Sequence, residues 1–194
     1  MIGPVREIKS HLALLLLALA PGLGCSENSR ANAKEPEPPA AAVAVPPLPC
    51  VYFKDLTPFL PESLEGFTLG STEGSTGKYG EVSISEAERT FIRGEDREVK
   101  VRIVDTTLGG KIAKSIRAAA EQGKRRPESD PTAPIFWDAA VGFVRYDASE
   151  STAEANLLVG DRFVVAVTSR GFPSTVEVRR VARGIDLAGL ARLR

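Results

Sequence analysis

Val99, Val101 and Ile103 alternate with Lys100 and Arg102. An apolar residue at every second position predicts a strand with one buried and one solvated face. Gly94-Glu95-Asp96-Arg97 before it reads as a hairpin loop. The segment Val82–Arg93 is therefore read as the preceding strand, because Thr90, Phe91 and Ile92 favour extended backbone even though Ser85-Glu86-Ala87-Glu88 could open a helix. Upstream, a short helix is expected at about Phe53–Leu60, stopped by Pro61. Between them the glycine- and serine-crowded stretch Gly70–Gly80 reads as a loop. The period then changes. Ile112, Ile116 and Ala119/Ala120, with Lys111, Lys114, Arg117 and Glu121 between them, predict an amphipathic helix over Gly110–Gln122 with Gly123 as its C-cap. Lys124-Arg125-Arg126-Pro127 follows as a solvated loop.

Four more strands are predicted at about Ala133–Asp138, Gly142–Ala148, Thr152–Val159 and Arg162–Ser169. Gly160-Asp161, taken as a two-residue type II′ turn, sets Val159 opposite Arg162, Leu157 opposite Val164 and Ala155 opposite Ala166. The other face pairs Leu158 with Phe163 and Asn156 with Val165. Both faces are largely apolar, which places these strands in the middle of a covered sheet. Ser174-Thr175-Val176-Glu177 has the form of a capping box. Behind it Val178, Val181 and Ala182 face inward and Arg179, Arg180 and Arg183 outward, Gly184 ends the helix, and Asp186 starts a last turn with Leu187, Leu190 and Leu193. The order describes one α+β domain over residues 50–194, with a mostly antiparallel sheet of about six strands and two main helices. The pattern resembles secreted domains of PsbP and Mog1 type, and that resemblance implies an α/β/α sandwich. Phe59-Leu60-Pro61, Gly66-Phe67, Tyr146-Asp147 and Asp161-Arg162-Phe163-Val164-Val165 are similar to uncharacterised bacterial lipoprotein domains. Neither resemblance carries a function.

The N-terminal pattern is of another kind. Arg6 and Lys9 precede the apolar run Leu12–Ala20, which falls short of the roughly 20 apolar residues that span a bilayer. A basic start, a short apolar run and small residues at its exit read as a signal peptide over residues 1–24. Two exits compete. Ala18-Leu19-Ala20 fits an ordinary A-x-A cleavage site but is followed at once by Pro21. Gly22-Leu23-Gly24-Cys25 resembles the lipobox of bacterial lipoproteins, with Gly22 where that motif usually has Leu. The resemblance implies cleavage before Cys25, a diacylglycerol on its thiol and acylation of the new amine. Several acyl chains suffice for stable anchoring, at about 0.8 kcal/mol per buried CH₂. Ser26, in place of the Asp that retains enterobacterial lipoproteins at the inner membrane, implies the outer membrane. Residues 25–49 are rich in Pro and Ala and read as a disordered tether, able to reach about 70 Å if fully extended.

Composition narrows the chemistry. The chain carries 25 Lys and Arg against 25 Asp and Glu, so charge offers no case for nucleic acid. His11 is the one histidine and leaves with the signal, which excludes Ser-His-Asp and Cys-His catalysis and leaves no cluster for zinc. Ser75-Thr76-Gly77-Lys78 matches S-x-x-K, but that motif needs a helix start and glycines surround it here. A phosphate loop fails, because Thr72 stands where Gly is required and Tyr79 replaces Ser/Thr. Asp147, Ser149 and Glu150 lack the glycine of a calcium loop. Cys50 reads as a small apolar residue at the domain edge, or else as the thiol of an intermolecular disulfide. Trp137 reads as core, or if exposed as a partner anchor. Arg179, Arg180, Arg183, Arg192 and Arg194 read as a solvated helix face, or as a surface for anionic headgroups. The expectation is a lipid-anchored envelope protein held by acylated Cys25, without catalytic residues, cofactor or metal, that binds another envelope protein. The alternatives are a carrier for a small apolar ligand or lipid, and a hydrolase using Ser75 and Lys78.

Overall fold

Among the described residues each strand pairs antiparallel with its neighbours, and none pairs parallel. The computed structural model describes residues 49–127 and 130–193. The expected signal over residues 1–24, Cys25, the expected tether up to residue 48 and Arg194 lie outside the described residues. Among the described residues there are seven strands: β1 (Thr68–Tyr79), β2 (Val82–Arg93), β3 (Arg97–Thr106), β4 (Ile135–Trp137), β5 (Ala140–Asp147), β6 (Thr152–Val159) and β7 (Phe163–Arg170). There are four α-helices: α1 (Phe53–Leu56), continued by a 3-10 turn at Thr57–Phe59, α2 (Gly109–Gly123), α3 (Val176–Arg183) and α4 (Leu187–Arg192). The sheet order is β1-β2-β3-β7-β6-β5-β4. Two meanders are thus joined by α2, and β7 docks on β3.

Helices lie on both faces. On one face Ala87, Phe91, Val99, Val101, Leu157 and Val165 pack against Leu56 of α1, Val178 and Val181 of α3 and Leu190 of α4. This core face holds nearly all the large buried side chains, and burying each aliphatic or aromatic one contributes about 1.5–3 kcal/mol. On the opposite face, Ala113 and Ile116 of α2 pack on Leu158, Val141, Phe143 and Val164. The alternation read from Val99, Val101 and Ile103 is correct, and all three are buried on the core face.

The count of about six strands is corrected to seven, and two main helices to four. The added strand is β1, read as a loop from its glycines. Its core-facing side needs no apolar side chain of its own. A Cβ on Gly74 would sit 2.3 Å from the ring of Phe53, so the ring fills that place instead. Thr76 Oγ1 accepts from the Phe53 amide at 2.9 Å. The β6–β7 turn is corrected too. Gly160 and Asp161 both have positive φ, as type I′ rather than type II′ requires, and Arg162 is left unpaired. Val159 therefore meets Phe163, Leu157 meets Val165 and Ala155 meets Val167, one residue on from the expected register. The capping box does not form: Thr175 is the N-cap without a side-chain cap bond, and its hydroxyl donates to Pro131 O. Glu177 pairs with Arg180 instead. Gly123 ends α2 as a helical residue, and Lys124 takes the cap in right-handed conformation.

One buried group works against stability. Ser169 lies between Val99 and Ala153 on the core face, fully buried, and its Oγ has no hydrogen-bond partner. A buried unpaired hydroxyl costs about 1–3 kcal/mol. Ser169→Ala is expected to raise the urea midpoint of unfolding, by about 1 kcal/mol in stability. A lower midpoint would mean that the hydroxyl is satisfied.

Candidate functional site

The face of the sheet that carries α2 is only partly covered. Because side chains alternate, Glu73 and Ser75 of β1, Glu86 and Glu88 of β2, Lys100 and Arg102 of β3, Thr168 of β7, Glu154 of β6 and Arg145 of β5 all point to that face. Helix α2 packs on β5 and β6 near Leu158, while Glu73, Ser75 and Arg102 stand exposed. Opposite charges meet between strands: Lys100 Nζ is 3.0 Å from Glu88 and Arg102 reaches Glu86, both diagonally, and Arg145 is 2.7 Å from Glu154 directly opposite it. Such exposed pairs contribute about 0–1 kcal/mol each. Their stability role is small, so what they define is a patterned surface. Two hollows lie on it. One of about 530 Å³ is lined by Arg145, Asp147, Thr152, Glu154 and Thr168. Another of about 270 Å³ is lined by Glu73, Ser75, Glu86, Glu88 and Arg102.

Where residues 49–51 join the domain, a buried ion pair holds them. Asp105 Oδ2 accepts from the Val51 amide at 2.9 Å and from Arg162 Nη2 at 2.7 Å, and Oδ1 accepts from Arg162 Nε at 3.1 Å. Arg162 Nη2 also donates to Pro49 O at 2.9 Å. The carboxylate is 3% exposed and the guanidinium 17%. Arg162, the third residue of the β6–β7 turn left outside the ladder, is thus the one that braces the start of the domain. Sequence reasoning placed Arg162 in a strand and missed this role. No local signal marks it, because Gly160-Asp161 reads as a complete two-residue turn and the third turn residue is seen only in the register.

The residues singled out from sequence are spread widely. Ser75 and Lys78 are three apart on strand β1, so they point to opposite faces, and Ser75 Oγ donates to Glu86 at 3.4 Å. Lys78 cannot reach Ser75 from there. Asp147 Oδ1 accepts from the Ser149 amide and hydroxyl, a local turn that holds its carboxyl below the usual range. Among the described residues no group of three metal-ligating side chains forms. Trp137 is half-buried at the core edge, with Arg183 5.6 Å above its ring. The arginine face is not uniformly solvated. Arg179 donates to Pro131 O and Ala133 O, and burial pushes its guanidinium below its ordinary value.

Cys50 is a half-buried free thiol whose Sγ donates to Ser83 O at 3.3 Å. Burial, and then the Asp105 carboxylate, push the thiol up, against smaller opposing effects of the Thr107 amide and Arg162. A thiol with a raised folded value contributes stability below its unfolded value, lost as pH rises through the folded one. In a Cys25→Ser chain at pH 8, maleimide should label Cys50 more slowly when folded than in urea. Equal rates would refute this.

No family model matches the chain, and neither a curated protein nor a solved structure matches it. Among the described residues no helix is long and apolar enough to cross a membrane.

Proposed function

We propose that this chain is a lipid-anchored interaction module of the bacterial envelope. Acylated Cys25 would hold it to a membrane, probing space through the 25–49 tether, and the open charged sheet face would bind an envelope protein. The observation that carries the reading is that face: three cross-strand ion pairs and two hollows on the side of the sheet away from its main core. Alternating charges of both signs favour a protein surface of complementary pattern, which gains specificity and association rate from such an arrangement. They do not favour a nucleic acid or any other polymer of one sign.

The test has two arms. A photo-crosslinker at Ser75 or Thr168 in living cells should give one adduct of defined mass, and one at Ala118 on the outer side of α2 should not. Arg102→Glu should reduce that adduct about tenfold. Adducts unchanged by Arg102→Glu, or none at either position, would sink the docking face. Cys25→Ala should move the protein from the envelope to the soluble fraction. A variant that still sediments with membranes would sink the anchor.

A second reading, a carrier of a small apolar ligand, rests on a groove of about 540 Å³ at the β4 edge. Phe136, Trp137, Val141, Leu158 and Ala191 line it, beneath the Arg117–Asp161 ion pair. Native mass spectrometry of the membrane-extracted protein tests this: a carrier should show a co-purifying adduct displaced by Val141→Trp.

A further inference from the structure

The β2–β3 hairpin end holds an arrangement that the docking face does not use. Two Gly-Phe dipeptides from distant parts of the chain, Gly66-Phe67 and Gly171-Phe172, meet there. Both glycines have positive φ, +77° and +79°. Their phenylalanine rings stack with centroids 6.2 Å apart and planes 29° apart. Each ring carries one arginine: Arg93 lies 5.9 Å from the centre of Phe67, and Arg97 lies 5.6 Å from the centre of Phe172. Gly171 makes room here: a Cβ on it would come within 3.1 Å of Arg97 Cγ, whereas one on Gly66 would meet the Arg93 guanidinium at an ordinary contact distance of 3.8 Å.

Arg93 and Arg97 are also direct cross-strand partners. Like charges facing each other across a strand pair are destabilising. Neither arginine makes an ion pair among the described residues. Glu95 and Asp96 lie in the turn between them without bonding either, and Glu98 belongs to the opposite face, beside Arg170. The result is two exposed guanidinium groups, each within cation–π range of an aromatic ring, with no ion pair among the described residues. A guanidinium attracted to a ring in this way keeps its N–H groups available for bidentate contact with an oxyanion.

We propose that Arg93 and Arg97, seated on Phe67 and Phe172, form a binding site for a phosphate group. Two unit positive charges on cross-strand partners match a dianionic phosphate, whose oxygens accept such contacts. Occupation would remove the repulsion within the pair. The site lies at the other end of β3 from Asp105 and Val51, about 30 Å from where the tether joins. It is thus separate from the anchoring and docking readings.

Inorganic phosphate is the first probe. Thermal unfolding of the full chain should shift upward by about 3 °C in 10 mM phosphate relative to chloride at matched ionic strength and pH. Arg97→Gln should abolish the phosphate shift. Arg117→Gln, which removes an exposed arginine elsewhere, should leave it intact. The proposal fails if native protein shows no difference between the salts, if Arg97→Gln keeps the shift, or if Arg117→Gln loses it as well. Vesicles containing phosphatidylglycerol, mixed with the Cys25→Ser chain, separate the sources. Sedimentation that Arg93→Gln abolishes assigns a lipid headgroup. Phosphate stabilisation without sedimentation assigns a soluble phosphate ester.

Discussion

Asp105→Ala is expected to lower the stability of the domain by about 3–5 kcal/mol. The Arg162 guanidinium, 17% exposed, would lose both bonds to its carboxylate and stay in a site built to exclude water. The Val51 amide would lose its acceptor as well. Removing one partner of a buried pair costs far more than the pair contributes, because the other charge stays behind without compensation. The matched double variant Asp105→Leu/Arg162→Met should therefore recover most of the loss, since two apolar side chains strand no charge. Urea unfolding at pH 7 measures both. A loss below about 1 kcal/mol for Asp105→Ala would show that water screens the pair as it does at a surface. A second readout is independent of stability. The Asp105 carboxylate helps to push the Cys50 thiol up, so Asp105→Ala should speed maleimide labelling of Cys50 in the folded state.

The same ion pair shows where sequence reasoning stops. Alternation and helical spacing report what each segment does with its own side chains. On that basis β2, β3, α2 and β6 could be read to within a few residues, as could the apolar faces of α3 and α4. Strand β1 could not. Its core side is completed by the Phe53 ring over Gly74, which no local pattern contains. The β6–β7 register slipped by one because Arg162 is spent on Asp105, 57 residues away, rather than on the ladder. The capping box read from Ser174 to Glu177 does not form, because the N-cap is Thr175 and its hydroxyl goes to Pro131 O, 44 residues off. Each miss is a contact between distant parts of the chain that overrides a local preference.

The candidate surface was half legible. Lys100 and Arg102 were read as the solvated side of a strand, and so were the charges of the helices. That Glu86, Glu88, Lys100 and Arg102 form a ladder depends on register, and register came only with the fold. The arginine site was hidden for a similar reason. Gly-Phe occurs three times in the chain, at Gly66, Gly142 and Gly171, and nothing in the sequence joined the first copy to the last, more than a hundred residues on, until their rings were seen to stack.

Gly171→Ala is expected to cost about 2–5 kcal/mol and to do so through two separate effects. Its φ of +79° is a left-handed conformation that a Cβ disfavours by about 1–2 kcal/mol. In addition, the new Cβ would stand 2.4 Å from the Asp96 carbonyl oxygen, a backbone atom that cannot rotate away. Relief requires the β2–β3 hairpin to move off the end of β7, where the Gly171 amide also donates to Ser151 O at 2.9 Å. The two effects can be told apart. Gly66→Ala adds a side chain at nearly the same φ, but its nearest neighbour is the end of the flexible Arg93 side chain at 3.8 Å. It should therefore lose only the conformational part. Urea midpoints of the two variants measure the difference, and equal losses would show that the hairpin yields without cost. Because Arg97 starts the strand that must move, Gly171→Ala should also weaken phosphate stabilisation in the protein that remains folded, and Gly66→Ala should weaken it less.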